Sequence, residues 1–379
     1  METRDVVVVG GGLVGSAVAY GLARQGLKVA LLDEGDQVFR ASRGNFGLVW
    51  VQSKGEGKHD YARWSLQSAH LWPGLAEMLM QDAGVDVQLQ QRGGLHICLS
   101  EKELVDRQAR LATIQQGVGD DYTFQVLDLH QAREFIPGLG PDVAGATYTP
   151  MDGHANPLKL LRALNASCQV RGVSIVRGAA VTDIRREGGC FRIRTAAGDW
   201  QSDRVVLAAG LANRKLGAMV GMDVQVGPNR GQVLITERTR PVLDYPTNYI
   251  RQTDEGTIQI GDSQEDVGYD DNVTVPVLAA VAARAVRCIP ALGQLRLVRT
   301  WAALRVLSPD KFPIYQESEA MPGAYVVTGH SGVTLAAQHA ITLSPWLAGG
   351  ERPAAIDGFR ADRFPPSSEI KTMGADDAH

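Results

Sequence analysis

Val6-Val-Val-Val-Gly10-Gly-Gly12-Leu13-Val14-Gly15-Ser-Ala-Val-Ala-Tyr-Gly-Leu-Ala-Arg-Gln-Gly-Leu-Lys-Val-Ala-Leu-Leu-Asp33-Glu34 is the stretch around which the rest of the chain is organised. The valine run predicts a buried strand, the apolar spacing from Leu13 predicts a helix, and Val29 to Leu32 predict a second strand ending at Asp33. A strand–turn–helix–strand unit with Gly10-x-Gly12-x-x-Gly15 at its turn is the dinucleotide fingerprint in its full context. Gly10 permits the tight turn, Gly12 offers no Cβ to an approaching pyrophosphate, and Gly15 lets helix and strand pack closely. The helix N-terminus, with Leu13 and Val14 in its first turn, presents unpaired N–H groups and a partial positive charge to phosphates. Asp33, with Glu34 beside it, stands where a carboxylate accepts hydrogen bonds from ribose hydroxyls. No arginine directly follows, so a 2′-phosphate is not expected. The competing reading is a glycine-rich turn without a ligand.

Beyond the second strand comes Ala41-Ser42-Arg-Gly44-Asn45-Phe46-Gly47-Leu-Val-Trp50-Val-Gln-Ser-Lys54-Gly-Glu-Gly-Lys58. A surface loop needs no Phe46, Val49 or Trp50, whereas a segment pressed against a flat ligand does. Ser42 and Asn45 can donate to phosphate or flavin oxygens, and Gly44 and Gly47 permit close approach. Read alone, the segment also fits an ordinary glycine-rich turn.

Composition narrows the classes. The formal net charge of −4 gives no electrostatic case for nucleic acid. Cys98, Cys168, Cys190 and Cys288 are far apart and form no C-x-x-C, so no metal or iron–sulfur site of the usual spacing is expected. Scattered thiols fit a reducing compartment. The N-terminus does not follow a signal-peptide pattern, and no apolar run reaches the roughly 18 residues of a membrane span. A cytoplasmic protein is expected, with peripheral attachment to the inner face of the membrane left open.

Tyr61, Trp64, Leu66, Leu71, Leu75, Met78 and Leu79 predict a helix over 60–83 whose aromatics serve core packing rather than a cofactor. Residues 91–99 predict a strand, 101–117 a charged exposed helix, and 128–136 a short helix stopped by Pro137; His96 and His130 read as ordinary histidines. Asn156 before Pro157 marks a capped helix start. Strands follow at 173–178 and 180–184, then a hairpin of 191–195 with 200–202. Arg204-Val-Val-Leu-Ala-Ala209-Gly210 reads as a further buried strand, whose small end residues let it pass under a dinucleotide. From Gly227 the pattern turns antiparallel: 230–236 alternates, a hairpin turns at Thr253-Asp-Glu, a helix spans 275–289, and a long strand spans 295–306. Gly323 to His330 read as a buried strand, and Ser331-Gly332-Val333-Thr334-Leu335 as the opening of a helix whose N-terminus can face a negative group.

The fold expected is α/β, or α+β when taken whole. A Rossmann-type nucleotide domain is assembled from 1–85, 150–215 and 320–365. An antiparallel-sheet substrate domain, 86–149 and 216–319, is inserted, and 366–379 form a disordered tail.

That layout resembles the D-amino-acid-oxidase-like family of FAD-dependent oxidoreductases over about residues 5–362. Four stretches carry the resemblance: the Gly10–Gly15 turn with Asp33; Ser42-Arg-Gly-Asn-Phe-Gly-Leu-Val-Trp-Val-Gln; Arg299-Thr-Trp-Ala-Ala-Leu-Arg305-Val-Leu-Ser-Pro-Asp-Lys-Phe-Pro-Ile; and Thr328-Gly-His-Ser-Gly-Val-Thr-Leu-Ala. The second is worded most like the β-subunits of multi-subunit opine, D-hydroxyproline and cyanide-forming glycine dehydrogenases. The resemblance implies that Arg305 holds a substrate carboxylate, as a guanidinium fork suits, and that Tyr249 is an active-site tyrosine. The alternatives are a structural ion pair for Arg305 and a core tyrosine. It implies that Gly332, Val333, Thr334 and Leu335 lie by the flavin pyrimidine, that Val181 pairs with adenine, and that Ala209 and Gly210 pass beneath the cofactor. No cysteine lies just beyond Arg305, so FAD is expected to be non-covalent.

The function expected from this resemblance is FAD-dependent dehydrogenation of a small amine or amino acid carrying a carboxylate. Hydride passes to flavin N5, and the imine formed is hydrolysed. A partner subunit with a further electron acceptor is implied where oxygen does not take the electrons. The oxidase alternative needs a placed cation; Lys54 and Lys58 are the candidates, against a plainer reading as solvated loop lysines. A third reading is a non-catalytic FAD-bearing subunit, and a fourth, resting on the first motif alone, is an NAD-linked dehydrogenase.

Overall fold

A computed structural model describes residues 2–35, 41–261 and 263–366; the expected tail lies outside them from residue 367 on. The strands Glu2–Val9 and Val29–Asp33 flank the helix Leu13–Arg24, as the opening stretch predicts. The valine run is buried on both faces. Val6 and Val8 join one apolar core while Val7 and Val9 join another, as alternation along a central strand requires.

These strands belong to an eight-stranded sheet. Its main path runs Ile314–Glu317, Ala324–Thr328, Gly198–Leu207, Glu2–Val9, Val29–Asp33, Ser174–Arg177. All pairs on that path are parallel except the first. Val181–Glu187 and Cys190–Thr195 add antiparallel to the side of Gly198–Leu207. The strands thus come from three separated stretches of chain.

The expected hairpin arm and the expected buried strand are one continuous strand. Gly198 to Ser202 pair back on Cys190–Thr195, and Arg204 to Leu207 continue beside the first strand. Asp203 and Arg204 in the middle look like a break, but the same ladder with the first strand runs past them on both sides.

A second, antiparallel sheet runs Ile250–Gln252, Thr257–Ile260, Gly227–Arg238, Leu297–Leu307. A three-stranded sheet of Gly94–Cys98, Gly145–Thr149 and Gln125–Asp128 shares one apolar core with it, through Leu95, Ile97, Leu127, Leu234, Ile250 and Ile258. The helix Val275–Cys288 closes that core with Ala285 and Cys288. The helices Leu13–Arg24 and Pro157–Val170 pack on the large sheet, and His59–Ala83 packs against Pro157–Val170; Asn156 caps Pro157–Val170 through Leu158 and Lys159 N–H at 3.1 Å each.

No long α-helix opens at Ser331. A hydrogen-bonded turn leads into a π-helical turn, Gln338–Thr342, and then a short helix, Leu343–Leu347. The widened turn crosses the first helix at Gly21, where a Cβ would lie 2.1 Å from the Ala340 carbonyl oxygen. Among the described residues, no helix is long and apolar enough to cross a membrane.

Candidate active site

The glycine turn is held from outside itself. Gly10 has φ +107°, and a Cβ on Gly15 would stand 1.9 Å from the Gly10 carbonyl oxygen, so both positions require glycine. Gly11 N donates to Asp33 Oδ2 at 2.7 Å and Gly35 N to Asp33 Oδ1 at 2.9 Å. Leu13 N donates to Ser42 Oγ at 2.9 Å. Asp33 and Ser42 therefore fasten the turn before any ligand arrives, and the Asp33 oxygens keep further lone pairs for hydroxyls.

A cavity of about 640 Å³ begins at this turn. Gly10, Gly12, Leu13, Val14, Asp33, Glu34 and Val181 line it together with Ser42, Gly44, Asn45, Phe46, Ala209 and Gly210. Arg305, Gly332, Val333 and Thr334 line it as well, so one space joins both ends of the sequence motif set. Gly15 and Leu335 stand outside the lining; Leu335 is fully buried in a core. Gly47 also stands outside, at φ +89°, and donates to Asn45 Oδ1 at 2.7 Å.

Arg305 sits on the strand Leu297–Leu307, opposite Asn229 in the ladder. Its Nη1 donates to Asn229 Oδ1 at 3.0 Å. The guanidinium lies over Gly231, where a Cβ would meet Nη2 at 2.4 Å. A side chain at 231 would push the arginine aside. Trp301 on the same strand donates Nε1–H to the Gly44 carbonyl at 3.2 Å and ties the strand to the 41–47 segment.

The Thr328–Thr334 turn lies along the same cavity and is strongly anchored. Thr334 Oγ1 donates to the Leu48 carbonyl at 3.1 Å and accepts from Trp50 N at 3.2 Å. Trp72 Nε1 and Ser68 Oγ reach the Thr334 carbonyl at 3.1 and 2.6 Å. Ser331 holds φ +69°, and its Oγ accepts from Lys54 Nζ at 2.6 Å and from Tyr61 OH at 3.1 Å. His330 lines the cavity, and its pKa is held well below the ordinary imidazole value, by burial first and then by the charges of Lys54 and Arg305. It is therefore neutral at physiological pH.

Lys54 faces the cavity, contrary to the plainer reading of a solvated loop lysine. Lys58 does not line it; it packs over the rings of Phe312 and Phe359 at 5.8 and 5.3 Å, and burial lowers its pKa. The sequence carried no signal for the Lys54–Ser331 contact, because the partners are 277 residues apart.

Tyr249 does not line the cavity that Arg305 lines. It lines a second cavity, of about 520 Å³, with His96, Arg107, Arg284 and others. There its ring meets His96 edge-on at 5.9 Å and lies under the Arg284 guanidinium at 5.2 Å. Arg107 escapes a reading that takes its helix as exposed; its position with Leu111 and Ile114 on one buried stripe was the available signal.

The first cavity fits FAD. Its glycine turn, with helix N-terminus and adjoining carboxylate, suits the adenosine diphosphate half. Val233, Val327 and Val333, with Phe46 and Trp50, give apolar faces that suit a flat ring. No cysteine lines it among the described residues.

Comparison with known proteins agrees with this reading. Residues 5–346 match the family model DAO, FAD dependent oxidoreductase. An opine oxidase subunit from Agrobacterium tumefaciens is 42% identical over 365 residues, 96% of this chain and 98% of that protein. Hydrogen cyanide synthase subunit HcnC of Pseudomonas aeruginosa is 30% identical, with 99% of both chains covered. The crystal structure of glycine oxidase from Geobacillus kaustophilus superposes with a TM-score of 0.89 at 27% identity, covering 96% of this chain and 100% of that one. The chain belongs to the DAO family of FAD-dependent oxidoreductases.

Proposed function

We propose that the chain is the FAD-bearing, substrate-oxidising subunit of an amine dehydrogenase acting on a small amine that carries a carboxylate. The observation that carries this reading is Arg305, which lines the same cavity as the glycine turn and lies on a floor that only glycine at 231 leaves open. A guanidinium so placed can take a carboxylate in bidentate fashion. Asn229 steadies Nη1, and that support leaves the orientation fixed before substrate enters. His330 stays neutral, and Lys54 and Arg305 are the cations whose charge it feels in the cavity. Their charge disfavours an ammonium and favours the neutral amine, whose α-hydrogen can leave.

Bound FAD supplies the electron sink for the two-electron oxidation. The residues that would hold it are those of the glycine turn, Asp33, Ser42, Val181, Ala209, Gly210 and the 332–334 turn. We take its attachment as non-covalent. The proposed substrate unit is 86–149 with 216–319, set against a cofactor unit of 1–85, 150–215 and 320–365. Tyr249 belongs to that substrate unit but not to the carboxylate clamp. Two relatives of this chain are named as subunits, which supports a partner that receives the electrons.

Anaerobic bleaching of the flavin tests the reading. D- and L-proline, hydroxyprolines, glycine, sarcosine and opines are added singly to the FAD-loaded protein. One carboxylated amine class is expected to bleach the wild type. Arg305→Met should keep the yellow colour and weaken that amine by roughly 2–4 kcal/mol. Bleaching at an unchanged half-saturating concentration in the variant would sink the assignment.

A second reading, an oxidase that passes electrons to oxygen, is favoured by one observation: Lys54 reaches the cavity and is fixed there by Ser331. Admitting air to the bleached protein separates the two. Recolouring within seconds that Lys54→Met slows supports the oxidase; slow recolouring indifferent to Lys54 supports a partner subunit.

A further inference from the structure

The second cavity is built from different elements: the helix Glu101–Val118, the strand Gly94–Cys98, the hairpin through Ile250 and Ile260, and the helix Val275–Cys288. Its deepest charged group is Arg107, which is 4% exposed. Arg107 Nη2 donates to Gln52 Oε1 at 3.0 Å and Nε to Thr147 Oγ1 at 3.4 Å, both neutral acceptors, while Nη1 has no partner. Arg107 forms no ion pair among the described residues. Its neighbours do: Arg110 pairs with Glu56 at 2.9 Å and Arg284 with Glu103 at 2.9 Å. A buried guanidinium without a paired carboxylate carries a desolvation cost that neutral acceptors only partly offset.

Other donors beneath the cavity surface are also unspent. Arg284 Nε and His96 Nδ1 are buried without partners, and both residues line the space. Asn248 Nδ2 lies 3.4 Å from His96 Nε2, an arrangement in which the amide donates and the ring proton sits on Nδ1. Three side chains thus bring unsatisfied N–H groups to one cavity, and Arg107 brings a buried charge with no ion pair among the described residues. Such a donor set suits an anion with a planar pair of oxygens.

We propose that the second cavity is a carboxylate-binding site centred on Arg107, with Arg284 and His96 as the further donors. Two sources can supply the carboxylate: a distal arm of the molecule held at Arg305, or a separate small dicarboxylate. The wall between the cavities is one ring thick. Gly261 lines the second cavity and Phe46 and Val233 line the first, and a Cβ on Gly261 would lie 2.9 Å from Phe46 Cε2 and 3.6 Å from Val233 Cγ2. A shift of the Phe46 ring would join the two spaces.

Succinate, titrated calorimetrically into the FAD-loaded protein at constant ionic strength, tests the site without turnover. Saturable binding is expected, weakened at least tenfold in Arg107→Met and in Arg284→Gln. Arg284 is more exposed than Arg107, so the second variant decides if the first does not fold. Arg305→Met separates the sources: weakening there as well means that one molecule spans both cavities, and unchanged binding there means a separate ligand. The proposal is overturned if succinate shows no saturable binding. It is equally overturned if only Arg305→Met weakens binding, or if Arg107→Met and Arg284→Gln proteins that keep FAD and the wild-type melting temperature bind succinate unchanged.

Discussion

Asp152 is fully buried, and only one of its oxygens is satisfied. Oδ1 accepts from Val51 N at 2.5 Å and from Gln52 N at 3.3 Å, while Oδ2 has no partner. The residue thereby fixes the segment that carries Trp50 and Lys54 to the first cavity and Gln52 to Arg107. Burial raises its pKa from 3.8 to about 7, against the opposing pull of the Val51 and Gln52 N–H groups and the Arg107 charge. The sign follows from proton counting. Between the unfolded and folded values the native state holds a proton that the unfolded state has lost, so stability falls as pH rises through that window. Above about pH 7 both states are ionised and the dependence ends. Asp152→Asn keeps Oδ1 as acceptor and cannot ionise. Melting temperatures from pH 5 to pH 8 should therefore fall in the wild type more than in the variant, the part of the window above pH 5 amounting to about 3 kcal/mol in free energy. Parallel curves for the two proteins would refute the buried ionisation. At this scale the sequence was legible where chemistry is local. Arg305 stands in a run of strand residues whose neighbours carry the motif, whereas no periodicity says which of two adjacent cavities Tyr249 enters.

At the scale of elements, the turn between the first strand and helix depends on a residue far along the chain. The helix has no side-chain cap of its own at Gly12, and Ser42 Oγ takes the Leu13 N–H instead. Capping hydroxyls of this kind contribute about 1 kcal/mol. Ser42→Ala is expected to lower the unfolding free energy of the FAD-free protein by that amount, read as a lower denaturation midpoint, and to weaken FAD retention, because the turn is then less firmly preformed. An unchanged midpoint together with unchanged retention in dialysis would show that Ser42 is dispensable to the turn. The opening strand, turn and helix were legible because their signals lie within one stretch of neighbours. Two elements were not. The strand Gly198–Leu207 reads as two pieces, since its polar middle is tolerated only by a ladder with Glu2–Val9. The segment after Ser331 reads as a regular helix. The crossing with Gly21 and the Ser344 Oγ bond to the Ala340 carbonyl, at 2.8 Å, belong instead to the π-helical turn found there.

At the scale of the molecule, the first cavity is walled by two sheets that share no strand. Val9, Leu32 and Val327 come from the eight-stranded sheet, and Gly231, Val233, Ala303 and Arg305 from the antiparallel one. The change of strand signal from buried runs to alternation at Gly227 was legible in the sequence. The facing of the two sheets across one space was not, since it is set by tertiary packing. A cofactor that touches both sheets stabilises the folded state by mass action, by about 2.7 kcal/mol when present at 100 times its dissociation constant. The gain belongs to whatever opening exposes the cavity, so it should appear as protection on both walls. Hydrogen exchange of FAD-free and FAD-loaded protein is expected to differ in the Gly10–Val14 turn and equally in residues 231–233 and 303–306. The strands Gly94–Cys98 and Gln125–Asp128, which supply nothing to that lining, should exchange alike in both forms. Protection gained on the glycine turn alone would mean that the antiparallel sheet does not grip the cofactor. Arg305 would then stand too far from the flavin for the carboxylate clamp to orient a substrate against it.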